Sequence, residues 1–199
     1  MARETRLRKL CVFTGSRLGS RREYVAAAKQ LGQELVERRY GLVYGGGNVG
    51  LMTVIADAVL SLGGHVTGVI PDSFVSKEVA HQGLSDLRVV TSMHERKALM
   101  AELSDGFIAM PGGIGTMEEL FEVLSWAQLG LHEKPCALLN VCGYYDSLIT
   151  FLDHGVVSDF IKPKHRGLLM IESEPAKLFA RFEALLRSPA AKSFDSRRT

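Results

Sequence analysis

Short apolar runs that alternate with amphipathic stretches along the whole chain leave few folds open to it. The runs fall at residues 10–14, 42–44, 66–70, 87–90, 107–110, 137–141 and 168–171. They have the length of buried strands. Between them lie helical patterns at 22–39, 51–62, 93–103, 117–129, 145–153 and 176–186; in the first, Tyr24, Ala28, Leu31 and Leu35 mark one apolar face at spacings of four, three and four. Strands separated by helices pair in parallel, because each crossover carries the chain back to the same edge. The expected fold is α/β: one doubly wound, mostly parallel sheet with helices on both faces, Rossmann-like, in a single domain over 9–187. The ends, 1–8 and 188–199, are expected to be poorly ordered tails. In such sheets ligands bind at the carboxyl ends of the strands, where the strand order reverses.

Composition narrows the function classes. The 199 residues are 46% hydrophobic and 23% charged, enough for one full core. No apolar run has the length of a membrane span, and the basic start at Arg3, Arg6, Arg8 and Lys9 precedes only four apolar residues, too few for a signal peptide. A cytoplasmic protein without a membrane partner is expected. A net charge of +2 gives no footprint for nucleic acid. Cys11, Cys136 and Cys142 show no CxxC spacing and are expected as reduced thiols, and the six histidines show no metal-ligand spacing, so no metal or cofactor is expected.

The chemistry concentrates in glycine-rich turns. Pro111-Gly112-Gly113-Ile114-Gly115-Thr116 joins a candidate strand to a candidate helix, with Met117, Glu118 and Glu119 following. Bare glycine backbone lets N–H groups approach a phosphate, and a helix N-terminus adds unpaired donors and a positive dipole end. A second turn, Gly45-Gly46-Gly47-Asn48-Val49-Gly50, satisfies G-x-G-x-x-G, but it follows the second strand rather than the first. A mononucleotide between two glycine turns therefore fits better than a dinucleotide. Gly46, Gly47 and Asn48 are candidate contacts, as are Gly15 and Ser16 of Thr14-Gly15-Ser16-Arg17. Glycines that merely permit tight turns are the bland alternative.

Ser92 and Glu95 fit a capping box, placing Arg96 and Lys97 at a helix start, where cations oppose the dipole unless an anion offsets them. A basic face paired with Glu95 or Glu102 is the alternative there. Ser20 and Glu23 fit a second box. Thr116 and Glu119 fit a third, in which Glu119 would only bond back to the backbone. Against that stands its company: a phosphate cradle, two cations and Glu78. Carboxylates suit glycosidic cleavage, which needs a stabilised oxocarbenium and an activated water.

PGGIGTMEE, with YGGGNVGLM, MHERKALM and SWAQLGLHEKPCALLNVCGYYDSL, resembles the Lonely Guy family of phosphoribohydrolases, which release the free base from cytokinin riboside 5′-monophosphates and are often mislabelled lysine decarboxylases. The resemblance covers most of the chain. It implies catalytic roles for Arg96 and Glu119 and nucleotide contacts at Glu78, Lys97, the run Gly113, Ile114, Gly115, Thr116, Met117, Glu118, and Ser125, where relatives often carry threonine. It also implies a homodimer. Residues 79–83, with His81 and Gln82, look less like the plant members. The implied reaction splits adenine-type nucleoside 5′-monophosphates, N6-modified or AMP, into base and ribose 5-phosphate; a non-catalytic nucleotide or phosphorylated-cofactor carrier is the alternative. No lysine and aspartate context for a pyridoxal cofactor supports decarboxylation.

Overall fold

The computed structural model describes residues 7–75 and 80–187. The chain runs β1 (Lys9–Phe13), α1 (Arg22–Glu37), β2 (Gly41–Tyr44), α2 (Gly50–Ser61), β3 (Val66–Pro71), α3 (Asp72–Val75), β4 (Asp86–Val90) and α4 (Met93–Leu103). It continues with β5 (Gly106–Ala109), α5 (Ile114–Gln128), β6 (Cys136–Leu139), α6 (Asp146–Val157), α7 (Pro163–Arg166), β7 (Leu169–Glu172) and α8 (Pro175–Arg187). The sheet order is β4-β3-β2-β1-β5-β6-β7, and every pairing is parallel, so the sheet is wholly rather than mostly parallel. The order reverses between β1 and β5, which places the crevice where their following loops diverge.

Strands covered on both faces need apolar residues at every position, and the central ones have them. In β1, Leu10 and Val12 face a cluster with α1, α2 and α8, while Cys11 and Phe13 face Met100 of α4 and Leu120 and Val123 of α5. The edge strand β4 shows the converse: Arg88 and Val89 are exposed. The two helical turns α3 and α7, one turn each, carry no long apolar period and were not expected. Pro71 ends β3, and the Asp72 carboxylate accepts from the Ser73 N–H at 2.6 Å as α3 begins.

The expected tails fall largely on 1–6 and 188–199, outside the described residues. Arg8, assigned to the first of them, is tied to the sheet, its carbonyl accepting from the Gly41 N–H at 2.8 Å. Among the described residues no helix is long and apolar enough to cross a membrane, and no cluster of three or more His, Cys, Asp or Glu could hold a metal ion. Cys11 and Cys136 are buried free thiols; burial pushes Cys136 up to about 12.

Candidate active site at the switch point

Three loops meet at the carboxyl edge of β1, β2 and β5 and are bonded to one another. The Gly15 N–H donates to the Pro111 carbonyl at 3.1 Å, the Thr14 hydroxyl to the same carbonyl at 3.2 Å, and the Leu51 N–H to the Gly15 carbonyl at 3.0 Å. A side chain at Gly112 would run into Thr116 and would stand 2.9 Å from the Gly15 nitrogen, so that glycine is needed for the loops to meet. Gly113 and Gly115 differ, since a Cβ at either would meet nothing within 4 Å. Their bareness serves nothing inside the chain.

α5 starts earlier than its capping-box pattern suggests. Gly113 is the N-cap and offers no side-chain bond, the first backbone bond of the helix being Met117 N–H to the Gly113 carbonyl at 3.2 Å. Thr116 is thus the third helical residue and buried rather than a cap. The box between Thr116 and Glu119 does not form, which removes the purely capping account of Glu119. The Ser20–Glu23 box also fails, because Arg21 is the N-cap of α1 and makes no side-chain bond. Only Ser92 caps as expected, accepting from the Glu95 N–H at 3.1 Å.

Among the described residues, no acceptor takes the backbone N–H groups of Gly112, Gly113, Ile114, Gly115 or Thr116. No acidic residue stands in the first turn of α5 either. Five successive donors at the positive end of a fifteen-residue helix are the kind of environment that favours an anion. Beside it lies a hollow of about 240 Å³ lined in part by Gly15, Ser16, Tyr24, Leu51, Gly113 and Tyr144.

Glu119 stands about a turn and a half along α5, on the side facing α4. Its carboxylate is largely buried and lies 3.8 Å from the Arg96 guanidinium. Burial raises the carboxyl to about 7, with Arg96 pulling it down and Glu118 pushing it up less strongly. Arg96 itself spans the sheet edge: Nε donates to the Val69 carbonyl at 3.1 Å and Nη2 to the Gly45 carbonyl at 3.3 Å. The guanidinium fills the space a Gly45 side chain would take. So Gly45 is spent on seating an arginine, and Gly50 on the close approach of Ser16 and Arg17, rather than on cradling a phosphate. Gly46, with φ 75°, accepts at its carbonyl from the His81 N–H at 3.2 Å; Gly47 bridges Ala80, and Asn48 accepts from the Thr53 hydroxyl at 3.2 Å. Through Arg96, which bonds the Gly45 carbonyl, this second turn is joined to Glu119 of α5.

Lys97 does not wait for an anion. Its ammonium bonds Glu118 and lies 3.0 Å from Glu122, and although burial works against the charge, these two bonds outweigh it and hold the pKa above the ordinary lysine value. Both partners come from α5, not from Glu95 or Glu102 as the helix pattern of α4 suggested. Glu95 instead accepts from the Thr91 N–H and hydroxyl, each at 2.7 Å. Ser125 lies on the same α5 stripe as Glu118 and Glu122, away from the cradle, and its hydroxyl donates to the Phe121 carbonyl at 2.7 Å. Ile114 and Met117 flank the cradle, Ile114 with its side chain in solvent. Glu78 lies outside the described residues.

A doubly wound α/β protein with an anion cradle at its switch point and a buried arginine–glutamate pair beside it is the class these observations define. A family model described as "Possible lysine decarboxylase" matches residues 52–182. The cytokinin riboside 5′-monophosphate phosphoribohydrolase LOG5 of Arabidopsis thaliana is 50% identical over 181 residues, 91% of this chain and 79% of that protein. A relative from Oryza sativa subsp. japonica, named "Probable cytokinin riboside 5′-monophosphate phosphoribohydrolase LOGL9", is 52% identical over 180 residues, 90% and 79% of the two chains. The chain belongs to the Lonely Guy (LOG) family. Among solved structures, the molybdenum cofactor carrier protein of Chlamydomonas reinhardtii superposes with a TM-score of 0.70 over 92% of this chain and 100% of that one, at 21% identity, a likeness of fold alone.

Proposed function

We propose that this protein hydrolyses the N-glycosidic bond of adenine-type nucleoside 5′-monophosphates, N6-modified cytokinin nucleotides foremost, to the free base and D-ribose 5-phosphate. The observation that carries the reading is the unpaired N–H run from Gly112 to Thr116, which leads into the helix that carries Glu119, whose carboxylate is 3.8 Å from Arg96. A phosphate held at the start of α5 leaves its ribose one short span from that pair. The names of relatives about half identical to this chain support the substrate class.

In this mechanism the 5′-phosphate accepts from the α5 donors. Arg96, fixed by two backbone carbonyls, orients the sugar phosphate and favours the ionised form of Glu119 against the burial that raises its carboxyl. As the C1′–N bond breaks, its electron pair leaves with the base; the Glu119 carboxylate stabilises the ribosyl cation and takes the proton of the attacking water, and the departing base takes up one proton from solvent while Glu119 gives one back, so the free base leaves neutral and the carboxylate is restored. Lys97 acts by setting the charge of Glu118 and Glu122 around the site. Glu78 and Ser125 join as substrate contacts on the family pattern, and the active form is a homodimer on the same ground.

The test is turnover of N6-isopentenyl-AMP and of AMP, followed by chromatography of free base and ribose 5-phosphate, with Glu119→Gln alongside. Base released by the natural chain and not by the variant is the expected result. Tight nucleotide binding without release of base sinks the hydrolase reading and leaves a carrier. Light scattering at working concentration reads the dimer.

A further inference from the structure

The segment that follows β6, Val141-Cys142-Gly143-Tyr144-Tyr145-Asp146, belongs to one of the sequence motifs above, yet the reaction just proposed makes no use of it. Its two tyrosines end on the cradle loop. The Tyr144 hydroxyl donates to the Gly112 carbonyl at 2.6 Å and the Tyr145 hydroxyl to the Met110 carbonyl at 2.6 Å. Between them the Pro111 carbonyl takes the Gly15 N–H and the Thr14 hydroxyl. Three successive carbonyls are therefore held from behind.

A trans peptide is planar, and its C=O and N–H point in opposite directions. Holding the Pro111 carbonyl aims the Gly112 N–H, and holding the Gly112 carbonyl aims the Gly113 N–H. Both are among the donors left without an acceptor. The segment is shaped for this delivery: the Asn140 side chain accepts from the Tyr145 N–H at 2.8 Å and donates to Asp146 at 2.7 Å, and Cys142 and Gly143 turn the chain through φ 52° and 72°. The Tyr144 ring stands edge-on to Tyr24 and Tyr145, at 5.8 and 4.8 Å between centroids, so its place depends on ring packing as well as on the hydroxyl.

We infer that Tyr144 is a positioning residue for the 5′-phosphate: its hydroxyl locks the Gly112–Gly113 peptide plane so that the Gly113 N–H faces the anion, while Tyr145 anchors the Met110–Pro111 plane ahead of it, which carries no N–H of its own. The inference rests on the phosphate placement proposed above. Tyr144→Phe keeps the ring contacts and removes only the hydroxyl. The expected result is a rise of about three- to ten-fold in both the KM for the nucleoside monophosphate and the dissociation constant of ribose 5-phosphate by calorimetry. kcat stays within about two-fold, with unchanged thermal midpoint and unchanged inhibition by free adenine, since one hydrogen bond behind the phosphate is all that is lost. Tyr145→Phe leaves a buried carbonyl unpaired, so its thermal midpoint is read beside the same split. Wild-type affinity for ribose 5-phosphate in Tyr144→Phe, or an equal loss toward adenine, overturns the inference. A natural chain that hydrolyses nucleotide while Tyr144→Phe matches it throughout loses the clamp and keeps the function. One that binds ribose 5-phosphate in a tyrosine-dependent way but releases no base keeps the clamp and loses the function.

Discussion

Glu119 sets stability against chemistry, and glutamine at that position separates them. The carboxyl titrates near 4.5 in the unfolded chain and near about 7 in the folded one, chiefly because the protein buries it. The folded value is the higher, so between these two the native state binds more protons than the unfolded state. Stability from this group is therefore greatest at low pH, declines as pH rises through that window, and is flat above it. Integrating the linkage relation over the two values gives a total loss of about 3 kcal/mol, of which about 2.5 kcal/mol falls between about pH 5 and about pH 8. Glutamine does not titrate. The stability of Glu119→Gln relative to the natural chain should therefore move in the variant's favour by about 2.5 kcal/mol across that span, while turnover drops at least about a hundred-fold. Urea unfolding at both pH values, followed by the fluorescence of the single tryptophan, Trp126, measures the shift at one protein concentration. Effects that do not titrate cancel in the difference. A stability difference that is the same at both pH values, or that moves in favour of the natural chain as pH rises, refutes the argument.

Three further outcomes follow from the same geometry. Arg96→Gln removes the charge that pulls the Glu119 carboxyl down, so a carbon-13 titration of that carboxyl should show its midpoint above the natural value; a midpoint at or below it contradicts the pairing. Gly112→Ala must displace Thr116 or the Gly15 loop and should cost about 1–3 kcal/mol in unfolding experiments, whereas Gly113→Ala meets no atom of the chain, leaves the thermal midpoint in place and raises the nucleotide KM at least about ten-fold. Equal destabilisation by both would show that Gly113 serves the fold. Gly45→Ala displaces the Arg96 guanidinium, and kcat should fall at least about ten-fold; full activity in a variant whose crystal structure shows Arg96 moved off the Val69 carbonyl would remove Arg96 from its role, and Arg96 found still in place would refute the steric argument.

The strands were legible because β2, β5, β6 and all of β1 after Lys9 are buried on both faces, which makes them near-continuous apolar runs. The start of α5 was not. Thr116 and Glu119 match a capping box by spacing, but the helix begins three residues earlier on Ile114, through two glycines with poor helix propensity. Local pattern gives no reason to start a helix there; the hydrogen bonds from Thr14, Gly15, Tyr144 and Tyr145 to the preceding carbonyls do, and these donors lie up to ninety-seven positions away. The ion pairs of Lys97 are hidden from the sequence for a related reason. Its cost near a helix start is visible in the sequence, but the carboxylates that offset it stand on another helix, twenty-one positions away at Glu118.

Gly45 shows how far such long-range contacts reach into the reading of motifs. G-x-G-x-x-G suggests phosphate because glycines let backbone approach an anion, yet the physical requirement is only that something approach closely. At Gly45 that something is a guanidinium from α4, which reads the ends of two neighbouring strands through the Gly45 and Val69 carbonyls and a third element through Glu119. Besides the Met93 sulfur on its own helix, the groups that Arg96 bonds are two backbone carbonyls and a buried carboxylate, so its orientation is set by the sheet edge more than by one side chain. The buried charge of Glu119 would be costly without it, and Arg96 would be misplaced by any Cβ at residue 45. The second glycine turn and the Arg96–Glu119 pair are consequently one structural unit, and the run of free N–H donors at the start of α5 is the other.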